Sequence, residues 1–239
     1  MKNIIFFDTE TTGNTEKDFV CQLAYLSKDD SLSELYKPPM KIPPEASAVH
    51  HITNKMVLQK PTFKDGENYG KIKKLFEDEN TVLVAHNAPF DLMIVKKEGI
   101  EPKNFICTLR LARYLDPDEK IEKYNLQYLR YLLEIEIDAD AHDALGDVLV
   151  LEKLYERLKK KLIENENLKN ENEAIQKMME ISSHPSIFKS IKFGKHNGKK
   201  IEEILRIDRG YLEWLLDQKI QSGELDEDWI YTLKHYLGK

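Results

Sequence analysis

The sequence has few cysteines, no long apolar run and no excess of positive charge, and each absence excludes a class of protein. Cys21 and Cys107 are the two cysteines in 239 residues, and their spacing fits neither a disulfide framework nor a zinc site. No stretch approaches the apolar length that a membrane-spanning helix needs. The formal charge of -6 argues against bulk attraction to a polyanion, although local basic patches could still steer one.

What remains is the composition of an ordinary globular protein. Hydrophobic residues make up 41% and charged residues 33%, and 239 residues allow one large domain or one medium domain with a small appendage. Acidic residues interrupt the short apolar run at the N-terminus, so no signal peptide is expected. With two reduced thiols in apolar surroundings, this predicts a cytoplasmic protein without a membrane partner.

Hydrophobic periodicity predicts an α/β fold. The early apolar segments NIIFFD, FVCQLAYLS and SLSELYK predict an antiparallel meander, and the proline-rich KPPMKIPPEAS predicts a loop. Beyond it, helices alternate with the strand segments TVLVAH and FICT, and a long helix is predicted from His142 to Leu162. This order predicts a mixed sheet flanked by helices.

The composition divides the chain into three parts. Residues 1–165 carry the α/β pattern, and 166–184 are polar and rich in Asn and Glu, which predicts a solvated helical connector. Residues 185–239 predict a small C-terminal module that begins with a lysine- and glycine-rich turn. We expect Trp214 to lie in the core of this module.

Four carboxylates and one histidine stand where an ordinary fold would place apolar side chains. Asp8 and Glu10 share one face of the first strand, with backbones about 7 Å apart. Asp147 shares a helix face with Leu151 and Leu154, where an unpaired carboxylate costs several kcal/mol. A pair of divalent cations would satisfy such a set of acids.

Each of these residues alone has an ordinary explanation. An Asp-x-Glu pair is common at a strand end, and a buried basic residue could neutralise Asp147. Asp91 could cap the helix that it begins, and His142 could be a surface histidine. The combination of residue types, order and spacing favours one shared site.

Three segments resemble the motifs of the DEDDh branch of 3′-to-5′ exonucleases, the group of the proofreading epsilon subunits. FDTETTG, HNAPFD and HDALGD stand in the order of that family, and Ala144 occupies the position where the related tyrosine branch carries its tyrosine. The resemblance covers roughly the first 162 residues and implies an RNase H-like fold.

The resemblance also implies roles for the acidic set. Asp8, Glu10, Asp91 and Asp147 would bind two Mg²⁺ or Mn²⁺ ions, which prefer oxygen ligands, and His142 would be the general base. Five further residues would hold the nucleic-acid end: Thr11, Thr12, Ile52, Asn87 and Phe90. Ile52 and Phe90 could equally be core residues.

The C-terminal segments FGKHNGKKIEEIL and YLEWLL resemble the small module of exodeoxyribonuclease X-like proteins. Lysines on its glycine-containing turn could contact substrate phosphates without reading sequence, or the turn could be a solvated hairpin. The acidic segment GELDEDW interrupts any continuous basic surface.

These observations predict a metal-dependent exonuclease that releases nucleoside 5′-monophosphates from single-stranded or frayed DNA 3′ ends. The epsilon resemblance implies a DNA polymerase as a further partner. The alternatives are an exoribonuclease acting on short RNA or RNA 3′ ends, a non-catalytic scaffold that keeps the fold, and more remotely a glycosidase using two of the acids.

Overall fold

A five-stranded mixed sheet organises the N-terminal part of the protein. The computed structural model describes residues 2–137, 144–222 and 226–239, so the predicted base His142 lies outside the described residues. The strand order is β3-β2-β1-β4-β5, with β1, β2 and β3 antiparallel and β1, β4 and β5 parallel. The strands are β1 Asn3–Thr11, β2 Val20–Leu26, β3 Ser31–Leu35, β4 Thr81–Ala85 and β5 Phe105–Cys107. The predicted meander and mixed sheet are confirmed.

Helices cover both faces of the sheet and form the C-terminal module. In the N-terminal part they are α1 Pro44–His50, α2 Asn54–Val57, α3 Tyr69–Glu77, α4 Ala88–Lys97, α5 Thr108–Tyr114, α6 Leu126–Leu132 and α7 Ala144–Glu166. They continue as α8 Glu171–Ser182, α9 Ile201–Ile207, α10 Arg209–Gln221 and α11 Glu227–Leu237. No helix among the described residues is long and apolar enough to cross a membrane.

β1 lies in the middle of the sheet because its side chains are apolar on both faces. Ile5 and Phe7 pack with the side chains of α3 and α4, while Phe6 packs on the other face with α7. A buried strand of this kind holds its register firmly, since a slip of one residue would reverse every side chain. The residues at its carboxyl end are therefore fixed with respect to both layers of helices.

The proline-rich segment is only partly a loop. Helix α1 begins at Pro44, inside the segment that was predicted to be loop throughout. Proline is tolerated at the first position of a helix because the amide that it lacks would have no helical partner there. The prediction failed because it considered only that proline cannot donate to a strand ladder, and not that proline can begin a helix.

Helix α8 is not the solvated connector that its polar composition predicted. Ile175 and Met178 are buried in the same core as Phe6 and α7. The Ser182 hydroxyl accepts a hydrogen bond from the Cys107 amide at 2.8 Å, which fixes the end of α8 to the end of β5. One apolar residue per turn is enough to bury a helix on one side, and the composition concealed that stripe. The boundaries of the three predicted parts stay predictions.

The C-terminal module has a small core of its own. Among the residues of the module that the structure describes, eight are buried in this core: Ile191, Ile201, Ile204, Leu212, Leu215, Leu216, Leu233 and Leu237. Trp214 is not among them, since 53% of its surface is exposed, and the prediction that it lies in this core is wrong. Leu212, Leu215 and Leu216 fill the buried face of α10, which leaves Trp214 on the outer side.

Candidate active site

Three carboxylates from distant parts of the chain meet at the end of β1. Asp8, Glu10 and Asp147 each offer an oxygen, and these atoms lie within 4.8 Å of one another. Asp8 and Glu10 point to one face because strand side chains alternate. Asp147 reaches them from the first turn of α7, whose Leu151 and Leu154 are buried against the sheet.

Asp91 adjoins this cluster from the N-terminus of α4. It is 3% exposed, and its Oδ1 accepts hydrogen bonds from the Thr9 amide at 3.2 Å and the Thr9 hydroxyl at 2.7 Å. Thr9 lies on β1 between the two strand acids, so these bonds fix Asp91 beside them. The structure thus brings all four predicted acids to one region, three of them within coordinating distance of one another.

The electrostatics of the site are unfavourable for ionised acids. Burial, and then repulsion from Asp91, Glu10 and Asp147, raise the pKa of Asp8 well above its usual value. Burial also raises the pKa of Asp91, although the hydrogen bonds from Thr9 oppose that shift. Elevated carboxyl pKa values of this origin mark functional sites more often than structural ones.

The donor set fits hard divalent cations. Carboxylate oxygens are the ligands that Mg²⁺ and Mn²⁺ prefer, and the three oxygens lie within 4.8 Å of one another, close to the distance of about 4.2 Å across an octahedral Mg²⁺ ion. A cation would also reverse both the burial cost and the mutual repulsion that raise the pKa of Asp8. Asp147 is held in place by a hydrogen bond that the Gln127 side chain donates to its Oδ1.

Thr11 and Thr12 have their hydroxyls turned into the loop that follows β1. The Thr11 hydroxyl donates to the Gly13 carbonyl at 2.5 Å, and the Thr12 hydroxyl donates to Asp18 at 2.8 Å. Both residues are buried. Their hydroxyls therefore shape the loop beside the acids, and the predicted contact with substrate would fall to the backbone.

Ile52 lies in a small core with Cys21, Ile42 and Val57, and is 3% exposed. His50 joins this segment to β1, because its Nδ1 accepts from the Ile52 amide at 3.0 Å and its Nε2 lies 3.1 Å from the Thr11 carbonyl. A carbonyl can only accept, so the proton is on Nε2. Substrate binding by Ile52 stays a prediction, and at this burial its side chain acts mainly through packing.

Asn87 and Phe90 line a cleft of about 330 Å³ together with Asn14 from the loop after β1. Asn87 is exposed and has a left-handed backbone with a φ of 70°, which lets the chain turn sharply from β4 into α4. The cleft opens beside the helix that carries Asp91. Its opposite wall comes from α5 and the start of α11.

His86 is a residue that the sequence reasoning missed. Its Nε2 lies 2.7 Å from the Tyr124 carbonyl and its Nδ1 lies 2.9 Å from the Thr108 hydroxyl. The carbonyl requires a proton on Nε2, so Nδ1 accepts from Thr108 in the neutral ring. His86 precedes Asn87 and fixes the segment before α6 to the end of β4. Its position at a strand end, as the first residue of the HNAPFD motif, was the available signal.

The bonds of His86 predict a pH-dependent stability. Burial, opposed by the Tyr124 carbonyl and reinforced by Arg113, lowers the pKa of His86 from 6.5 to about 4. Between these values the unfolded chain binds the proton and the folded protein does not, so stability falls as the pH is lowered from 6.5 toward 4. We expect His86→Gln to remove about 2 kcal/mol of this loss.

The measurement is urea unfolding of both proteins across this pH range. The difference in the free energy of unfolding between the two proteins cancels the opposite contribution of Asp8 and Asp91, because both proteins contain these acids. Parallel pH dependences of wild type and His86→Gln would contradict the assignment.

The lysines of the C-terminal turn mostly make contacts within the protein. Lys192 donates to the carbonyls of Glu119 and Ile121, at 2.9 and 2.6 Å, and Lys195 pairs with Asp208 at 2.8 Å. These bonds attach the turn to the N-terminal part and to its own helices. The predicted contact with substrate phosphates is untested, and Lys192 has a docking role that the sequence did not suggest.

Two family models match the chain. One, described as Exonuclease, matches residues 5–155, and the other, described as Exodeoxyribonuclease X-like C-terminal, matches residues 191–219. Among curated proteins, the chain is 31% identical to "Exodeoxyribonuclease 10" of Escherichia coli (strain K12) over 236 residues, 96% of each protein. It is 32% identical to "DNA polymerase III subunit epsilon" of Treponema pallidum (strain Nichols) over 163 residues, 62% of this chain and 73% of that protein.

Solved structures confirm the predicted RNase H-like fold. "Exonuclease X in complex with 5' overhanging duplex DNA" matches with a TM-score of 0.58 and 26% identity, over 75% of this chain and 99% of that one. E. coli Exonuclease I in complex with a dT13 oligonucleotide matches with a TM-score of 0.58 at 20% identity, over 70% of this chain and 43% of that one. The second likeness concerns the fold alone.

Proposed function

This chain belongs to the exonuclease family, and on that premise we propose that it is a DEDDh-type 3′-to-5′ exonuclease acting on single-stranded or frayed DNA ends. The observation that carries the proposal is the meeting of Asp8, Glu10 and Asp147 within 4.8 Å, beside Asp91. These are the acids that the sequence motifs single out. A structural role for any one of them would not account for their convergence.

DNA is the proposed substrate because of one relative that matches nearly the whole chain and one matching structure that contains DNA. The E. coli protein that matches over 96% of this chain is named an exodeoxyribonuclease, and a matching structure holds a 5′ overhanging duplex DNA. The C-terminal model match extends that likeness beyond the N-terminal part. A polymerase partner rests only on the likeness to epsilon subunits and stays a prediction.

The four acids would hold two Mg²⁺ or Mn²⁺ ions. Bound there, such ions would supply Lewis-acid stabilisation of the phosphate and a water of lowered pKa. Asp91 would offer Oδ2, since its Oδ1 accepts from Thr9. Because Gln127 and Thr9 already orient Asp147 and Asp91, the ligand oxygens would need little rearrangement.

We further propose that His142 accepts the proton of the attacking water. It precedes Asp147 by five residues in the sequence, and histidine is the side chain best suited to accept a proton near neutral pH. The backbone after β1, with Asn87 and Phe90 across the cleft, would hold the terminal nucleotide. Contacts with sugar, phosphate and apolar base faces would leave little sequence preference.

The proposal is tested with one DNA oligonucleotide labelled at its 3′ end or at its 5′ end. We expect the 3′ label to leave at once as a mononucleotide and the 5′-labelled strand to shorten stepwise, with Mg²⁺ or Mn²⁺ and not with chelator. Asp8→Ala should remove this activity. The control is Asp29→Asn, which changes an exposed carboxylate between β2 and β3 and should keep full activity.

Several results would overturn the proposal. Activity that persists in chelator would exclude the metal site. Early loss of the 5′ label would show that degradation starts at the 5′ end. Faster cleavage of a matched RNA oligomer would move the substrate class to RNA. Wild-type protein as inert as Asp8→Ala under Mn²⁺ would favour the scaffold.

A further inference from the structure

A buried arginine docks the C-terminal module onto the N-terminal part. Arg110 of α5 is 5% exposed, and its guanidinium donates to Asp228 at 3.2 Å, to Glu227 at 2.7 Å and to the Ser182 carbonyl at 2.7 Å. Asp228 also accepts from the Ser186 amide at 3.0 Å. These bonds join α5, the end of α8 and the start of α11 at one point, so the module has a defined position.

A second attachment lies at the segment between α5 and α6. Glu119 accepts from the Lys189 amide at 2.6 Å and the Ser190 hydroxyl at 2.5 Å, and Lys192 binds two carbonyls of the same segment. Two separated attachments restrain rotation as well as translation. The module therefore forms a fixed wall opposite the N-terminal part.

Two adjoining depressions lie between the two walls, and the first is lined by Asn87, Pro89 and Phe90 at the start of α4, the helix that carries Asp91. The 330 Å³ cleft at Phe90 shares Asn87, Leu109 and Arg110 with a larger groove of about 940 Å³. The larger groove continues along the module to Phe193. The cleft beside α4 and the groove along the module are therefore adjacent and share part of their walls.

Aromatic side chains line the far part of this groove. Phe193 is 38% exposed and packs edge-on against Trp229 at 5.3 Å, and Trp229 packs on Phe188 at 4.5 Å. Ile187 is 42% exposed beside them. Exposed rings on a rigid support form a surface on which bases can stack.

The polymer can continue in only one direction from the site of a 3′-to-5′ exonuclease. The terminal nucleotide would lie at the four acids, so the rest of the strand would extend from its 5′ side. We infer that the groove between the N-terminal part and the C-terminal module is a second single-stranded DNA site, in which bases upstream of the scissile bond stack on Phe193 and its neighbours. This inference rests on the proposed function.

The charges of the groove favour contacts with bases over a purely ionic path. Lys189 and Lys192 donate to backbone carbonyls, which have no formal charge, so each ammonium keeps its attraction for a phosphate. Asp116 and Glu119 also line the groove, and their charges reduce that attraction. Because basic and acidic residues both line the groove, stacking contributes to the affinity beside the phosphate contacts, with weak preference for one base over another.

The test compares substrates of increasing length in the full-length protein. The shortest is the p-nitrophenyl ester of thymidine 5′-monophosphate, which occupies the terminal site alone, and the longer ones run from a dinucleotide to a dodecamer. For Phe193→Ala we expect an unchanged KM on the ester and an increase of about tenfold on the dodecamer, because one stacked base is lost. Trp214→Ala, an exposed aromatic of the same module outside the groove, is the matched control and changes neither.

A second measurement uses the wild-type protein, so that it does not depend on the folding of a variant. Oligonucleotides with 5-iodouracil at successive positions are bound in chelator and irradiated. We expect cross-links to Phe193 or Trp229 only when the label lies several nucleotides upstream of the 3′ end.

The outcomes separate this inference from the proposed function. If Phe193→Ala leaves KM unchanged at every substrate length, the second DNA site is overturned and the proposed exonuclease activity stands. This result would be expected if the groove bound a protein segment instead. An equal increase in KM on substrates of all lengths also overturns the second DNA site. Wild-type protein that hydrolyses none of these substrates would remove the proposed function and the inference with it.

Discussion

Asp8→Asn is expected to stabilise the metal-free protein while it removes catalytic activity. Burial and the neighbouring Asp91, Glu10 and Asp147 raise the pKa of Asp8, so its ionised form is unfavourable in the folded state at neutral pH. Asparagine keeps the shape without the charge. We expect the free energy of unfolding at neutral pH to rise, because a carboxyl group whose pKa is raised in the folded state destabilises the protein once it is ionised. Urea unfolding at neutral pH in chelator measures this change.

The same variant should lose both the response to metal and the reaction. Divalent cations that bind only the folded protein should raise the melting temperature of the wild type, and this increase should nearly vanish in Asp8→Asn. Activity should fall by about two to three orders of magnitude, the equivalent of several kcal/mol of transition-state stabilisation.

Asp18→Asn is the matched control for stability. Asp18 accepts hydrogen bonds from the Thr12 hydroxyl at 2.8 Å and from the amide and hydroxyl of Thr15 at 2.9 and 2.7 Å. Replacing this carboxylate of Asp18 by an amide should therefore destabilise the protein. A metal-free Asp8→Asn protein that is less stable than the wild type would contradict the repulsion that we describe.

Arg110→Ala is expected to have the largest effect on stability. It would leave Asp228, 8% exposed, with Arg113 as its remaining arginine partner, and would leave the Ser182 carbonyl without the guanidinium that donates to it. Removing one member of a buried ion pair costs about 3 kcal/mol or more, because the remaining charge stays buried. Chemical unfolding measures the loss, and limited proteolysis between α8 and α11 should show earlier cleavage as the module loosens.

Arg209→Ala is the control for this prediction. Arg209 pairs with Glu213 one helical turn away at 3.1 Å and donates to the Leu237 carbonyl at 3.1 Å, and its side chain is 51% exposed. An exposed ion pair and one such hydrogen bond together contribute about 1 kcal/mol, less than the buried network of Arg110. Equal losses for Arg110→Ala and Arg209→Ala would show that the buried network does not hold the module.

Local signals in the sequence were sufficient for the sheet and the acidic site. Alternation along β1 placed Asp8 and Glu10 on one face, and helical spacing placed Asp147 with Leu151 on the buried face of α7. Both periods follow from backbone geometry alone. The convergence of the two elements came from the order of the motifs rather than from any single residue.

The failures concern properties that depend on contacts between distant segments. The burial of α8 depends on a sheet face that its own polar composition does not reveal, and the docking of Arg110 on Asp228 joins residues 118 positions apart. The exposure of Trp214 follows from which face of α10 the module covers. Side-chain type gave the wrong answer there because a tryptophan is usually, and not always, buried.

The most direct test of the account is a crystal of the protein soaked in Mn²⁺, measured by anomalous scattering. The account predicts density between the carboxylates of Asp8, Glu10 and Asp147, and a second peak about 3.5 to 4 Å away toward Asp91. Saturating Mn²⁺ that produces no peak at these oxygens, or peaks only elsewhere on the surface, would contradict it.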